Sequence, residues 1–263
     1  MIRVGIGGWV FKPWRGTFYP NGLPQARELE YASRKITTIE INGTFYGTQK
    51  LESFRRWAAE TPDDFVFSLK APRFATHRRV LAEAGESIER FFASGVTELN
   101  SKLGPVLWQL PPSKAFERDD FAAFLALLPQ SIKGRAIRHA VEVRHQSFQV
   151  PEFIALMRQF SAAIVLVESD THPLLADVTG DFVYLRLQRT SEAIATGCDA
   201  PALDLWARRV RAFAEGGGPA DLPALAGPAK RAGPRDAFVY MISGAKTRAP
   251  AAAMALLEHL NRA

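Results

Sequence analysis

Cysteine is nearly absent from this chain of 263 residues. The lone Cys198 excludes an internal disulfide and any zinc site assembled from several thiolates, a usage that fits a reducing compartment. Long apolar runs are missing too. Nowhere do about eighteen apolar residues follow one another, so no membrane-spanning helix and no membrane partner are expected. Met1-Ile2-Arg3-Val4-Gly5 enters a strand-like pattern without the layout of a secretory leader, and the reading is a cytoplasmic protein. Acidic residues are the minority charge, 27 against 33 basic, and the net charge of +6 admits anionic partners without choosing among them. In Gly5-Ile6-Gly7-Gly8-Trp9-Val10, Val10 stands where the last glycine of a dinucleotide fingerprint belongs, so that cofactor is not indicated.

What is present is alternation. Short β-rich runs at Arg3–Gly8, Thr37–Ile41, Phe65–Lys70, Pro105–Leu110, His139–Val143, Ala163–Glu168, Phe182–Leu187 and Ala237–Ile242 are separated by amphipathic stretches. The helical stretches are Gln25–Lys35, Leu51–Glu60, Glu83–Leu99, Asp119–Leu127, Pro151–Phe160, a short turn near Pro173–Asp177, Ala202–Glu215 and Pro250–Leu260. Eight strands with a helical unit after each is the count of an α/β fold of the single (β/α)8 TIM-barrel type, and one domain over 1–263 is expected. Within β-rich runs, Val183, Leu185 and Leu187 can face helices while Tyr184, Arg186 and Gln188 point inward, as do Ser68 and Lys70. The Gly/Pro/Ala-rich stretch near 216–236 reads as a mobile loop on the opposite, N-terminal face. Arg208, Arg209, Arg211, Lys230, Arg231 and Arg235 then lie away from any mouth site.

A barrel carries its chemistry at the C-terminal strand ends and in the loops after them. Here those positions hold Trp9, Glu40 and Asn42, Lys70, Gln109, Glu142 and Arg144, Glu168 and Asp170, and Arg186 with Gln188. Thr38-Ile39-Glu40-Ile41-Asn42 puts a carboxylate and an amide on one strand face, followed by Gly43 and two aromatics that include Tyr46. Glu142-Val143-Arg144-His145 adds a carboxylate, a guanidinium and an imidazole. Glu40 or Glu142 can transfer a proton while Arg144, Arg186 and Lys70 hold an anion. The alternative for Glu40 and Asn42 is a structural hydrogen-bonding role, and for Glu142 an internal ion pair with Arg144 that orders the strand end. His77 and His145 lie within reach of the mouth, while His139, His172 and His259 read as structural or solvated.

Glu40, Glu142, His145, Glu168 and Asp170 have the donor atoms for Mg²⁺, Mn²⁺ or Zn²⁺, but without a His-x-x-x-His spacing a tight divalent metal is not favoured. Gln109 and Arg186 stand where a barrel glycosidase carries its acids after strands four and seven, which disfavours that chemistry. A Schiff-base role for Lys70 needs a depressed pKa that neighbouring carboxylates oppose, so Lys70 reads as an anion-binding cation. Trp9, Phe11, Trp14, Phe18 and Tyr19 surround Lys12 and Arg15 in the first loop. They can stack a base or sugar ring, although a hydrophobic cap on the barrel is the role expected of most of them.

Several segments in this order resemble the YecE-like family, catalogued as domain of unknown function seventy-two. They are Gly7-Gly8-Trp9, Trp14-Arg15-Gly16-Thr17-Phe18-Tyr19-Pro20, Glu40-Ile41-Asn42-Gly43-Thr44-Phe45-Tyr46, Lys70-Ala71-Pro72, Thr76-His77, Leu103-Gly104-Pro105, Gln109-Leu110-Pro111-Pro112, Glu142-Val143-Arg144-His145 and Tyr184-Leu185-Arg186-Leu187. The resemblance implies a TIM barrel and brings no established reaction. The chain departs from the family pattern at Tyr240-Met241-Ile242-Ser243-Gly244, where a YxxFNN-like strand end is usual, and at Gln188, where a histidine is usual. The expected function is an enzyme, of hydrolase or isomerase type, acting on a phosphate-bearing small molecule or nucleic-acid fragment. Its rival is a non-catalytic protein that binds an anionic ligand or single-stranded nucleic acid.

Overall fold

Alternation of inward and outward side chains builds the sheet. In a computed structural model describing residues 1–227 and 233–262, the strands are β1 (Ile2–Gly7), β2 (Thr38–Ile41), β3 (Val66–Lys70), β4 (Leu103–Gln109), β5 (His139–Glu142), β6 (Ala163–Glu168), β7 (Phe182–Leu187) and β8 (Asp236–Met241). Each pairs in parallel with its neighbour and β8 pairs with β1, closing a single (β/α)8 barrel. The expected strand runs match these to within two residues at either end. Lys230 and Arg231 lie outside the described residues.

Helices fill the crossovers: α1 (Glu28–Ala32), the single turn α2 (Gly43–Tyr46), α3 (Leu51–Glu60), the single turn α4 (Arg73–Thr76), α5 (Gly85–Ala93), α6 (Arg118–Ala126), α7 (Pro151–Gln159), α8 (Ala200–Ala214) and α9 (Ala249–Asn261). Proline in the first turn of α7, α8 and α9 costs no helical hydrogen bond there, and the Asp199 side chain caps α8 through the Ala202 N–H at 2.9 Å. One crossover departs from the expectation. The segment after β6, including Pro173–Asp177, is not helical; Asp177 instead accepts hydrogen bonds from the Leu225 and Ala226 N–H groups. The described part of the Gly/Pro/Ala-rich stretch is thereby tied down, and Arg235 adds donors to the Gly216 and Gly217 carbonyls.

Two apolar layers result. Val183, Leu185 and Leu187 face the helices, whereas Val66, Leu107, Val165, Val167, Phe182 and Phe238 fill the barrel interior. Trp108 sits in the outer layer against Phe91, Phe92 and Phe124. Its indole N–H donates to His139 Nδ1 at 3.0 Å, and Nε2 of that ring bonds the Pro129 carbonyl at 2.9 Å. Nδ1 must therefore be unprotonated, and burial, partly opposed by the Pro129 carbonyl, pushes the His139 pKa down to about 4. Gly5 sets the approach of β1 to β2, since a Cβ there would lie 1.7 Å from the Thr38 carbonyl oxygen.

Candidate functional site

Going up the barrel interior, apolar packing gives way to hydroxyls and then to charge. Thr38 Oγ1 lies 2.9 Å from the Tyr240 hydroxyl, and Ser68 Oγ lies 2.8 Å from that of Tyr184. Above them, the fully buried Glu40 accepts from the Tyr184 hydroxyl at 2.7 Å and from Arg186 through both carboxylate oxygens, at 3.1 Å from Nε and 3.0 Å from Nη2. The equally buried Glu142 accepts from Arg186 Nη1 at 2.5 Å, Arg144 Nε at 2.7 Å and Gln109 Nε2 at 2.9 Å. Arg186 thus bridges two carboxylates brought in by β2 and β5. Burial acts to raise the Glu142 pKa, but the charges of Arg186 and Arg144 and the bonds from Gln109 and Arg144 outweigh it and hold the carboxyl at about 2. Burial likewise acts against the Arg186 charge, yet Glu142 and Glu40 keep that guanidinium more firmly protonated than usual. The Tyr184 phenol is pushed well upward by burial and by Glu40, and stays a donor.

Lys70 is the exception in this network. Its side chain is 8% exposed, and its Nζ makes no hydrogen bond or ion pair among the described residues, lying instead 3.9 Å from the Phe45 ring centroid. The carboxylates expected to keep it charged are taken up by Arg186 and Arg144. Burial and the Arg186 charge therefore prevail over the pull of Glu40 and Glu142, and the Lys70 pKa falls to about 8.

Above this layer opens a cavity of about 580 Å³, the size of a small-molecule site. Trp9, Asn42, Tyr46, Lys70, Gln109, Arg144 and Arg186 all line it. Glu40 and Glu142 sit within the network that includes Arg186. His145 and His77 are absent from the lining. His145 Nδ1 accepts from the Ser147 N–H at 3.2 Å and caps the turn Gln146–Phe148, and His77 packs on Phe45, the ring that Lys70 also meets. Glu168 turns outward, accepting from the Trp206 indole at 2.8 Å, and Asp170 pairs with Arg189 at 2.5 Å. Neither joins the mouth cluster, and among the described residues no three His, Cys, Asp or Glu side chains group as metal ligands.

The first loop is mainly a cap. Trp14 and Tyr19 are buried, packed on each other and on Phe11, Phe18 and Tyr31, and the Trp14 indole donates to the Lys246 carbonyl at 2.9 Å. Gly8, with φ of 72°, turns the chain out of β1 so that Trp9 reaches the cavity and packs edge-on against Trp57. Sequence reasoning missed Lys246, which lines the cavity from the loop after β8 with Nζ 4.3 Å from the Phe11 centroid. Extending the strand-end rule to the eighth strand's loop would have found it. The lining now carries Lys70, Arg144, Arg186 and Lys246 and no Asp or Glu. Chemically, the arrangement can receive an anion and exchange a proton at one amine.

A closed parallel barrel with a charged mouth of this build defines a class rather than a reaction. The family model described as "Protein of unknown function DUF72" matches residues 3–263, and the chain belongs to that family. Among curated proteins it is similar to UPF0759 protein YecE of Escherichia coli (strain K12), 29% identical over 148 residues, 56% of this chain and 50% of that protein. UPF0759 protein YunF of Bacillus subtilis (strain 168) is 28% identical over 168 residues, 62% of this chain and 57% of that one. The matches thus span only about half the length of these relatives. Among solved structures, a DUF72 family protein from Thermotoga maritima MSB8 superposes with a TM-score of 0.76 at 21% identity, covering 100% of both chains. One from Enterococcus faecalis V583 reaches 0.74 at 17% identity, covering 100% of this chain and 96% of that one. At such identities the likeness concerns the fold.

Proposed function

We propose that the barrel mouth is the reaction site of an enzyme for an anionic small molecule, whose charge is met by Arg144, Lys70 and Lys246 while Trp9 and Tyr46 flank its body. One observation carries this reading: a cavity of about 580 Å³ lined by four cationic side chains and no carboxylate. Arg144 commits Nε to Glu142, and its terminal nitrogens make no hydrogen bond among the described residues, which leaves its fork for a carboxylate or phosphate. Glu40 and Glu142, the sequence candidates for proton transfer, serve in this reading to hold Arg186 and Arg144. The proton is exchanged at Lys70, whose pKa of about 8 suits that work near neutral pH.

A thermal-shift screen tests the site with sugar phosphates, nucleotides and short oligonucleotides, each with and without Mg²⁺, Mn²⁺ or Zn²⁺. Ligand at a hundredfold its Kd adds about 2.7 kcal/mol of stability, which gives a visible rise in Tm. The expected result is a rise with a phosphate-bearing metabolite that Arg144→Ala abolishes; no rise with any anion sinks the reading.

A second reading, single-stranded nucleic-acid binding, is favoured by the rim rather than the first loop. Tyr46 and Phe74 are 68% and 58% exposed, and the exposed Arg73 guanidinium lies 5.4 Å from the Phe74 ring centroid. It predicts oligonucleotide affinity that falls steeply with salt and weakens in Phe74→Ala.

A further inference from the structure

We propose that Lys70 is a nucleophile that forms a reversible imine with the carbonyl group of an anionic aldehyde, ketone or 2-oxo acid bound in the mouth cavity. The inference deepens the anion reading and rests on it for the substrate's charge. It reverses the expectation that neighbouring carboxylates disqualify this lysine.

Geometry supplies the first support. Lys70 ends β3 among the cavity-lining residues, nearly buried, and among the described residues no hydrogen-bonding or charged partner holds its amine. A purely structural lysine in this same barrel looks different: Lys102, also buried, donates to the Ala58 and Thr61 carbonyls and to Thr61 Oγ1. Charge supplies the second. Every carboxylate oxygen near Lys70 that could accept its proton is already bonded to Arg186, Arg144, Tyr184 or Gln109. Desolvation beside another cation is one of the ways an enzyme frees a lysine amine. With a pKa of about 8, Lys70 carries roughly two to three hundredfold more free amine at pH 7 than an exposed lysine. The third support is the neighbouring fork of Arg144, which supplies a partner for a carboxylate or phosphate on the same molecule.

The step balances without an added oxidant or reductant. The amine lone pair attacks the carbonyl carbon, forming the C–N bond as the C=O π pair moves to oxygen. Both amine protons then pass to that oxygen, directly or through water, and it leaves as one water molecule. The C=N bond remains, and protonation from solvent gives the cationic imine. That cation sits where the Lys70 ammonium sat, against the face of Phe45.

Trapping tests the proposal. The full-length protein at pH 7 is incubated with glyoxylate or pyruvate, and separately with uncharged acetaldehyde. Borohydride then delivers hydride to any imine and fixes it as a secondary amine, which peptide mass spectrometry locates. The expected result is labelling of Lys70 by the oxo acids at least roughly tenfold ahead of exposed Lys50, with loss of that label in Lys70→Arg and Lys70→Met. The mapping on the unaltered protein does not depend on either variant folding. If inorganic phosphate raises Tm while Lys70 is labelled no faster than Lys50, the imine is overturned and the anion site stands. If Lys70 is labelled preferentially by acetaldehyde but not by the oxo acids, and no anion raises Tm, the nucleophile stands for neutral carbonyls and the anionic substrate class fails. Absence of both signals overturns both.

Discussion

A buried carboxylate shared by two arginines and an amide is held by charge, and removing that charge leaves cations without compensation. Glu142→Gln is therefore expected to cost about 3–5 kcal/mol, read as a drop in the urea midpoint at pH 6. The sign with pH follows from the folded pKa of about 2 against an ordinary value of 4.5. The contribution is complete above the unfolded value and is lost as pH falls through the folded one. The gap between wild type and Glu142→Gln should accordingly narrow between pH 4.5 and 2; a constant gap would mean that the network works through shape and not charge. Lys70 gives a pH slope of the same sign, but at neutral pH its charge costs stability instead of adding it. Its folded pKa of about 8 lies below the ordinary value of 10.5, so the folded protein binds fewer protons between those values and stability rises with pH across that window. Below pH 8 the full cost of an unpaired charge is present, and Lys70→Met should raise stability at pH 7 by on the order of 1–3 kcal/mol while abolishing any anion-induced shift. A site that is stabilised by losing its own residue is one kept for function.

At the scale of elements, the close approach of β1 to β2 depends on one missing Cβ. The 1.7 Å contact that Gly5→Ala would create is with backbone, which no rotamer relieves, so strand pairing at Thr38 must shift. We expect Gly5→Ala to lose several kcal/mol, about 3 or more, and to unfold well below wild type in a circular-dichroism melt. A melt within a degree or two of wild type would show that the barrel absorbs the shift elsewhere. The β4–β5 pair has its own sensor in His139, which must stay neutral to accept the Trp108 N–H. With its pKa lowered from 6.5 to about 4, stability should decline as pH falls through that window. In His139→Gln this component of the decline should vanish, and persistence of the same slope would assign it to another group.

For the molecule as a whole, a net charge of +6 and a cationic mouth act together on any anionic ligand. Raising ionic strength from about 0.05 to 0.5 M shortens the Debye length severalfold and should weaken metabolite binding by slowing association. Stopped-flow association rates that ignore salt would place the ligand's charge outside the cavity. Among the described residues no helix is long and apolar enough to cross a membrane.

The sequence alone made the barrel legible, because strand alternation and helix periodicity are local patterns that a chain repeats unit by unit. It also put Glu40, Lys70, Glu142, Arg144 and Arg186 at strand ends, since a period of two assigns inward faces without knowledge of neighbours. It failed where a role depended on partners. Glu168 has the same strand-end position as Glu142, yet one bonds an outer-layer indole and the other the central arginine. The crossover after β6 read as a turn of helix, but Asp177 found backbone donors in Leu225 and Ala226, far along the chain. Contacts between strands commit the two carboxylates to Arg186 and Arg144 and, among the described residues, leave Lys70 without a partner. Electrostatic character depends on distance and desolvation across strands that no spacing along the chain encodes.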